Sequence, residues 1–337
     1  MNTDLFAILL ISGMPTPSHG EGQFSLTAAI RAARPPKAPV DPWRPYAFLV
    51  EPEHAANGCV EEVATLFLTN RECPFTCLYC DLWKQTTDER VPVGAIPAQI
   101  AYALSQLGLE REGCHPVRTI KLYNSGNFFD PQAIPPEDYP AIAALLRPFD
   151  TVIVESHPKL CGERVLEFRS LLPATTTLEV ALGLETAHPQ ILQRLNKQMT
   201  AEDFSAAARW LDASGIAVRT FILLKPPYMR EEECVDWAVR SLVLAFDSGA
   251  RCCTVIPTRA GNGVMDQLQL AGDFSPPPLS ALEAVLTAGL ELHRGRVFVD
   301  LWDVEQLFPA DGSGPARAKR LQAMNLSQLL MTRAGIV

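Results

Sequence analysis

The sequence predicts an α/β fold, a parallel and partial TIM-type barrel of roughly (β/α)6 organisation. Two observations support this prediction. Short runs rich in Val, Ile, Leu and Thr alternate along the chain with longer runs of helical apolar spacing. Each strand-like run is followed by a helix-like run, which is the order of parallel βαβ units. A chain of 337 residues, 47% of them hydrophobic, can bury a core of that size.

The predicted strands share a high content of apolar and β-branched residues and are Ala64–Thr69, Arg118–Tyr123, Thr151–Glu155, Leu178–Leu184, Val218–Leu224, Cys252–Ile256 and Arg296–Leu301. The predicted helices repeat apolar residues at three- and four-residue intervals and are Pro97–Leu107, Pro140–Leu146, Glu163–Leu171, Ala201–Ala213, Glu231–Phe246 and Leu279–Leu290. We therefore divide the chain into a lead-in over 1–45, a core barrel over 46–260, and a C-terminal extension over 261–337 that packs on the barrel. In such barrels the active site gathers at the carboxyl ends of the strands.

The lead-in is predicted to be loosely ordered, because Pro15–Pro45 is rich in Pro, Gly, Ser and Ala without a steady period. The apolar run Phe6–Ile11 is too short to span a bilayer and follows Asp4 instead of a basic segment. We expect no membrane association. Nine cysteines without paired framework spacing indicate thiols or metal ligands in a reducing cytoplasm. The net charge of -9 argues against a surface built mainly to bind phosphates.

The most specific motif follows the first predicted strand, where Cys73, Cys77 and Cys80 are separated by three and then two residues. Three thiolates on one loop can converge on a [4Fe-4S] cluster and leave one iron open for a reactant. The alternatives are a zinc site with a fourth ligand elsewhere and reduced core thiols. Pro74 and Asp81 in the same loop argue against core thiols.

With the aromatic Tyr79 before the last cysteine, the motif resembles the signature of the radical S-adenosylmethionine (SAM) superfamily. The resemblance covers about Leu66 to Ile256. It implies that SAM binds the open iron and that reduction of the cluster yields a 5′-deoxyadenosyl radical. This radical abstracts hydrogen from the substrate. The resemblance also implies an electron donor such as flavodoxin or ferredoxin.

The resemblance assigns SAM-binding roles to residues at two further strand ends. Ser125, Gly126 and Asn127 stand where the superfamily often has Gly-Gly-Glu, so backbone carbonyls or the Asn127 amide are expected to meet the SAM amino group. Glu185 ends the fourth predicted strand and is expected to bind a ribose hydroxyl or the amino group. Lys197 is expected to face the SAM carboxylate. The structural alternatives are a tight turn at Gly126, an acid near a helix start for Glu185 and a solvated charge for Lys197.

Glu155 and Lys225 are the catalytic candidates, because both stand at predicted strand ends and carry groups suited to proton transfer. Lys225 precedes two prolines, which favours an extended backbone there. His157 lies beside a proline and is more typical of a loop residue with its hydrogen bonds satisfied. The segment Pro257–Gly263 predicts an anion or substrate loop, or equally a surface turn.

Several of these runs are similar to the radical SAM subunit of archaeosine biosynthesis, a family that acts on a modified base in transfer RNA. The segment Ile256–Met265 departs from that pattern, and a small metabolite or a peptide therefore remains an alternative substrate. A non-catalytic metal-binding module is the alternative to an enzyme. If the substrate is RNA, we expect a local basic face at the barrel mouth. Its candidates are Arg219, Lys225, Arg259 and Lys159.

Overall fold

The computed structural model describes residues 21–110, 116–332 and 335–336. Within them, one eight-stranded sheet has its strands in sequence order. The strands are β1 (Ala47–His54), β2 (Val60–Phe67), β3 (Thr119–Tyr123), β4 (Thr151–Ser156), β5 (Thr177–Glu185), β6 (Ala217–Leu224), β7 (Cys252–Pro257) and β8 (Arg296–Val299). Strands β2 to β8 are parallel, and β1 pairs antiparallel with β2. The prediction of an α/β partial barrel is confirmed. A separate antiparallel pair of two-residue strands, β9 (Met331–Thr332) and β10 (Gly335–Ile336), lies outside this sheet.

The helices of the described residues are α1 (Glu21–Ala32), α2 (Ala95–Leu107), α3 (Tyr139–Leu145), α4 (Glu163–Leu171), α5 (Pro189–Arg194), α6 (Ala201–Ala213), α7 (Cys234–Asp247), α8 (Val264–Ala271), α9 (Leu279–Glu291) and α10 (Gly314–Ser327). Helices cover the outer face of the sheet, where alternate strand residues such as Ala64, Ile120, Val152 and Val218 are fully buried. None of the described helices has the length and apolar character needed to cross a bilayer.

Strand β1 was not among the predicted strands. Its sequence carries Glu51, Pro52 and Glu53, which lower the apolar content expected of a buried strand. Pro52 is tolerated because β1 lies at the edge of the sheet, where its residues need not donate hydrogen bonds to a second neighbouring strand.

The described part of the predicted lead-in over 1–45 begins with a helix. Helix α1 forms there, with Ala29 and Ile30 buried in a small apolar cluster that also contains Leu78 of the cysteine loop. The helix is stabilised by this tertiary contact and not by its own propensity. The first twenty residues lie outside the described residues.

The segment predicted as a C-terminal extension, 261–337, also contributes a strand to the sheet. Strand β8 joins the sheet beside β7. The free edge of β8 is hydrogen-bonded by two side-chain amides, Asn325 in α10 and Gln328 just after it. Asn325 accepts from Val299 N at 3.0 Å and donates to Val299 O at 2.8 Å. Gln328 does the same with Val297 at 2.8 and 2.9 Å. The barrel is thus covered at its open edge without a further strand.

The amino end of the barrel interior is filled by charged side chains. Glu53 of β1 lies 2.6 Å from both Lys121 of β3 and Arg219 of β6. Glu179 of β5 lies 2.6 Å from Arg219 and 3.3 Å from Arg296 of β8. Burial alone would raise the pKa of Glu53, but Arg219 and Lys121 hold that pKa well below its usual range. Except for Glu179 with Arg219, whose strands β5 and β6 are adjacent, these pairs join strands that are not neighbours in the sheet, and they close this end of the barrel.

Above this layer, aromatic rings point into the barrel. Tyr46, Phe67, Tyr123 and Phe221 form a chain of ring contacts with centroids 5.6, 6.2 and 6.1 Å apart. All four side chains are partly exposed, whereas the outward neighbours on the same strands are buried. Because these inward rings are more exposed than their outward neighbours, we infer a cavity around them inside the barrel.

Candidate active site

The cysteine loop follows β2 and is closed at its base. The amide of Gln99 in α2 accepts from Thr69 N at 2.8 Å and donates to Thr69 O at 2.7 Å. Thr87 N donates to Asn70 O at 2.9 Å, and Glu72 N donates to Thr87 O at 3.0 Å. Both ends of the loop are therefore held at the carboxyl edge of the sheet, next to the cavity.

Two asparagine side chains from other parts of the chain donate hydrogen bonds to backbone carbonyls of this loop. Asn196, after α5, donates to Thr76 O at 2.7 Å. Asn262, after β7, donates to Leu78 O at 2.8 Å and Cys80 O at 3.1 Å. Asn262 lies in the segment for which an anion loop or a plain turn was predicted. In the structure its side chain positions the peptides that carry the cysteines.

The outer side of the cysteine loop is covered by the segment after α1. Arg34 lies 2.6 Å from Glu72 and stacks over the Trp83 ring at 4.6 Å. Lys37 also pairs with Glu72, at 2.7 Å. This cover restricts the access of solvent to the loop from outside.

The three thiols of Cys73, Cys77 and Cys80 lie in a buried environment. Burial raises the pKa of each to about 12, so bare thiols stay protonated at neutral pH. A bound metal reverses this effect, since its charge deprotonates a coordinating thiol. Among the described residues, no three His, Cys, Asp or Glu side chains are placed to share a single metal ion. A four-iron cluster differs in this respect because it binds each thiolate on a separate iron.

Three strand ends at the mouth adopt a left-handed backbone without glycine. Ser125, Glu185 and Lys225 have φ angles of 52°, 67° and 54°. Such conformations cost about 1–3 kcal/mol each and are concentrated at functional sites. For Lys225 this replaces the extended backbone predicted from the two following prolines. The turns redirect the chain where β3, β5 and β6 end.

Glu185 and Lys197 form a buried ion pair beside the cysteine loop. The Lys197 ammonium lies 2.5 Å from the Glu185 carboxylate and 3.4 Å from the Tyr79 hydroxyl. Burial alone would lower the pKa of Lys197, but the Glu185 carboxylate outweighs it and raises that pKa. The positive charge of Lys197 also opposes the rise that burial causes in the thiol pKa values of Cys77 and Cys73. The structure therefore excludes the alternative of a solvated charge for Lys197.

A β-bulge makes room for this pair. The register between β5 and β6 shifts between Gly183 and Glu185, so the carboxylate folds back over Gly183. A Cβ atom at Gly183 would lie 2.1 Å from Glu185 Oε1 and 2.4 Å from Lys197 Nζ. Gly183 was not predicted as a site residue, although a glycine two residues before a strand-end acid is a recognisable bulge signal.

The segment from Ser125 to Asn127 packs against Cys73. A Cβ atom at Gly126 would lie 3.2 Å from Cys73 Cβ. The Asn127 amide nitrogen donates to Cys73 Sγ at 3.0 Å, and its oxygen accepts from His157 N. The Ser125 hydroxyl donates to the Tyr46 hydroxyl at 3.0 Å. All three residues thus lie beside the cysteine loop, but the Asn127 amide is bonded within the chain.

Glu155 holds the same segment from below. Its carboxylate accepts from Asn124 N at 2.6 Å and Gly126 N at 3.3 Å. Burial raises the pKa of Glu155 to about 7, against the lowering effect of these N–H groups and that of Ser125. The carboxylate therefore shapes the loop that faces Cys73, a positioning role that competes with the proposed catalytic one.

Lys225 stands at the carboxyl end of β6, but its ammonium turns away from the cysteines. It lies 3.0 Å from Glu231, 2.7 Å from the Ser275 hydroxyl and 3.5 Å from Pro276 O. These three acceptors match the three N–H groups of a lysine. The described contacts therefore give Lys225 a structural role, in contrast to the predicted catalytic one.

The predicted basic face does not form from its four candidates. Arg219 is buried at the opposite, amino end of the barrel, and Lys225 is buried and paired with the exposed Glu231. Arg259 is paired with Asp300 at 2.9 Å. Only Lys159 of this set is exposed to solvent. The position of Arg219 near the start of β6 already places it at the amino end, whereas the partners of Lys225 and Arg259 are visible only in the structure.

The comparisons with known proteins agree with this geometry. No family model matches the chain. Archaeosine synthase subunit beta of Thermococcus kodakarensis is 29% identical over 195 residues, which are 56% of this chain and 60% of that protein. The same subunit of Methanosarcina acetivorans is 27% identical over 186 residues, 53% of each chain. An uncharacterized protein of Methanocaldococcus jannaschii is 23% identical over 255 residues, 72% of this chain and 68% of that protein. The chain thus spans little more than half the length of the two named relatives.

Among solved structures, SuiB of Streptococcus suis bound to its precursor peptide has a TM-score of 0.50 at 10% identity, covering 84% of this chain and 55% of that chain. Coproporphyrinogen III oxidase of Escherichia coli, described as a radical SAM enzyme, has a TM-score of 0.44 at 15% identity, covering 98% and 69%. The chain is therefore similar in sequence to archaeosine synthase beta subunits and has a partial-barrel fold similar to that of SuiB.

Proposed function

We propose that this chain is a radical SAM enzyme whose [4Fe-4S] cluster is bound by Cys73, Cys77 and Cys80. The observation that carries the proposal is the convergence of distant segments on one loop. The cysteine loop contacts Asn127 from β3 and lies beside the Glu185–Lys197 pair from β5. Such convergence of polar groups at the carboxyl ends of barrel strands is typical of an active site.

The residues present fit the cluster. Three soft thiolates are the ligands that iron–sulfur clusters select, and N–H groups of Phe75 and Leu82 point at Cys73 and Cys80. When bound, the cluster supplies an open iron for SAM and the electron that cleaves SAM to the hydrogen-abstracting 5′-deoxyadenosyl radical. The sulfur-directed N–H groups stabilise the negative charge of coordinated thiolates.

The other site residues orient SAM in this proposal. The Glu185 carboxylate can accept hydrogen bonds from the amino and ribose hydroxyl groups of SAM, and the Lys197 ammonium can donate to its carboxylate. The backbone of Ser125 and Gly126, held by Glu155, lies next to Cys73. The Tyr79 hydroxyl accepts a hydrogen bond from the Lys197 ammonium and so holds the ammonium beside the cysteine loop.

We further propose that the substrate is a modified base in transfer RNA and that a partner subunit contributes to its binding. The names of two relatives, archaeosine synthase subunit beta, support both parts. The chain of aromatic rings inside the barrel suits a planar base. A partner subunit would supply the phosphate contacts that the predicted basic face does not. An electron donor such as flavodoxin or ferredoxin completes the set of partners.

The enzyme assignment is tested by iron content and SAM cleavage after anaerobic reconstitution. Wild type should bind about four irons and form 5′-deoxyadenosine with a low-potential reductant. Cys77→Ala should lose both properties. The matched control is Cys234→Ala, since Cys234 is equally buried but lies in α7 beside Lys225. A Cys77→Ala protein that cleaved SAM at the wild-type rate would contradict the assignment of the cluster ligands. A wild-type protein that bound iron but did not cleave SAM would favour a non-catalytic metal module.

The substrate is tested by stimulation of that cleavage. Intact transfer RNA, the same RNA digested to nucleosides, and buffer alone are compared at roughly 50 and 200 mM salt. Stimulation by intact RNA alone supports the proposal. The lack of any stimulation by RNA would favour a small metabolite or a peptide.

A further inference from the structure

The side-chain amide of Asn127 has a fixed orientation against Cys73. Its oxygen accepts from the backbone N–H of His157, a group that can only donate. The atom that faces Cys73 Sγ at 3.0 Å must therefore be the amide nitrogen, which donates. Asn127 is 1% exposed, so solvent cannot compete for this hydrogen bond.

His157, whose backbone N–H donates to the Asn127 oxygen, is itself held rigidly. The His157 imidazole stacks on Phe75 of the cysteine loop with centroids 3.7 Å apart and planes at 12°. His157 Nδ1 accepts from Lys159 N at 3.1 Å, so its Nε2 carries the proton and donates to Lys197 O at 2.9 Å. Burial lowers the pKa of His157 to about 3, which keeps the ring neutral. Because the ring and the backbone of His157 are held, the Asn127 amide cannot turn over.

We propose that the Asn127 amide donates a hydrogen bond to the Cys73 thiolate and thereby raises the reduction potential of the cluster. This inference rests on the proposed function and gives Asn127 a role different from the SAM contact predicted from the sequence. Asn127 acts through Cys73 and is therefore a positioning residue.

The physical reason is electrostatic. One electron from a low-potential one-electron carrier enters the cluster, and the negative charge shared by its sulfurs increases by one. An N–H dipole aimed at a coordinated sulfur stabilises the reduced state more than the oxidised state. The hydrogen bond is buried, where the low dielectric strengthens it. Loss of the donor should therefore make the cluster harder to reduce.

The test is a redox titration of the reconstituted protein, followed by the electron paramagnetic resonance signal of the reduced cluster. Asn127→Leu keeps the approximate shape of the side chain and removes the donor. We expect its midpoint potential to move to more negative values with an unchanged iron content. A full iron content with the wild-type potential would overturn the inference.

The matched control is Asn124→Leu. Asn124 lies in the same segment and is fully buried, and its side-chain atoms have no hydrogen-bond partner within the described residues. Its replacement should leave the potential at the wild-type value. An equal shift in both variants would overturn the inference, because a general loss of polarity would then explain it.

A second measurement needs no substitution, in case Asn127→Leu does not bind the cluster. Wild type with ¹⁵N in asparagine side chains should show a ¹⁵N hyperfine coupling to the reduced cluster in pulsed resonance spectra. The absence of this coupling would overturn the inference while the cluster signal itself upheld the proposed function. A wild-type protein that bound no iron would instead refute the proposed function, and the inference with it.

Discussion

The substitution Gly183→Ala tests how the fold accommodates the buried ion pair. The new methyl would lie 2.1 Å from Glu185 Oε1 and 2.4 Å from Lys197 Nζ, well inside van der Waals contact. The φ angle at Gly183 is not in the left-handed region, so alanine meets no backbone penalty there. The cost comes from space alone.

The magnitude follows from what must move. The side chains of Lys197 and Glu185 are only 8% and 5% exposed, so neither can swing into solvent without a wider rearrangement. Forcing a methyl into a packed site costs about 1–3 kcal/mol, and full separation of a buried pair costs about 3–5 kcal/mol. We therefore expect Gly183→Ala to lower the free energy of unfolding by about 1–3 kcal/mol.

The assay is urea unfolding of the cluster-free protein, with Gly162→Ala as the control. A Cβ at Gly162 has nothing within 4 Å, so this change should stay within about 0.5 kcal/mol. In a background with alanine at both Glu185 and Lys197, the penalty of Gly183→Ala should largely disappear. Equal unfolding midpoints for the two glycine variants would refute the steric reasoning. An undiminished penalty in the alanine background would contradict the role of the ion pair.

Three further predictions concern the loop, the pH dependence and the base of the barrel. Asn262→Ala should lower stability by about 1–3 kcal/mol, because two carbonyls of the cysteine loop lose their donor. Asn57→Ala in an exposed turn is the control, and similar thermal midpoints for both would contradict this. Folding raises the pKa of Glu155 from 4.5 to about 7, so its contribution to stability is present at low pH and is lost as the pH rises through that range. The stability of wild type minus that of Glu155→Gln should therefore fall between pH 5 and pH 8, and a flat difference would argue against the shift. Arg219→Met should cost about 3–5 kcal/mol, because the buried carboxylates of Glu53 and Glu179 each lose a partner and keep only Lys121 and Arg296. The exposed Arg240→Met should cost no more than about 1 kcal/mol, and a stable Arg219→Met protein with weakened RNA binding would restore the predicted basic face.

The sequence determined the fold class and the positions of the strand ends. Strands β2 to β7 could be predicted because buried parallel strands are continuous apolar runs, a signal contained in a few neighbouring residues. The same locality made Cys73, Cys77 and Cys80 recognisable, since the three proposed cluster ligands lie on one loop. Strand β1 and helix α1 escaped prediction because their stability comes from distant partners such as Arg219 and Leu78.

Only the tertiary structure decided which side chains meet. The packing of separate segments brings Asn127 to Cys73 and Ser275 to Lys225, and neither contact is encoded by spacing along the chain. Arg219 was expected at the mouth but lies at the closed end, where it pairs with Glu53 of β1 and Glu179 of β5. Sequence patterns report local conformation and burial, whereas hydrogen-bond partners depend on the packing of strands that are far apart in the chain.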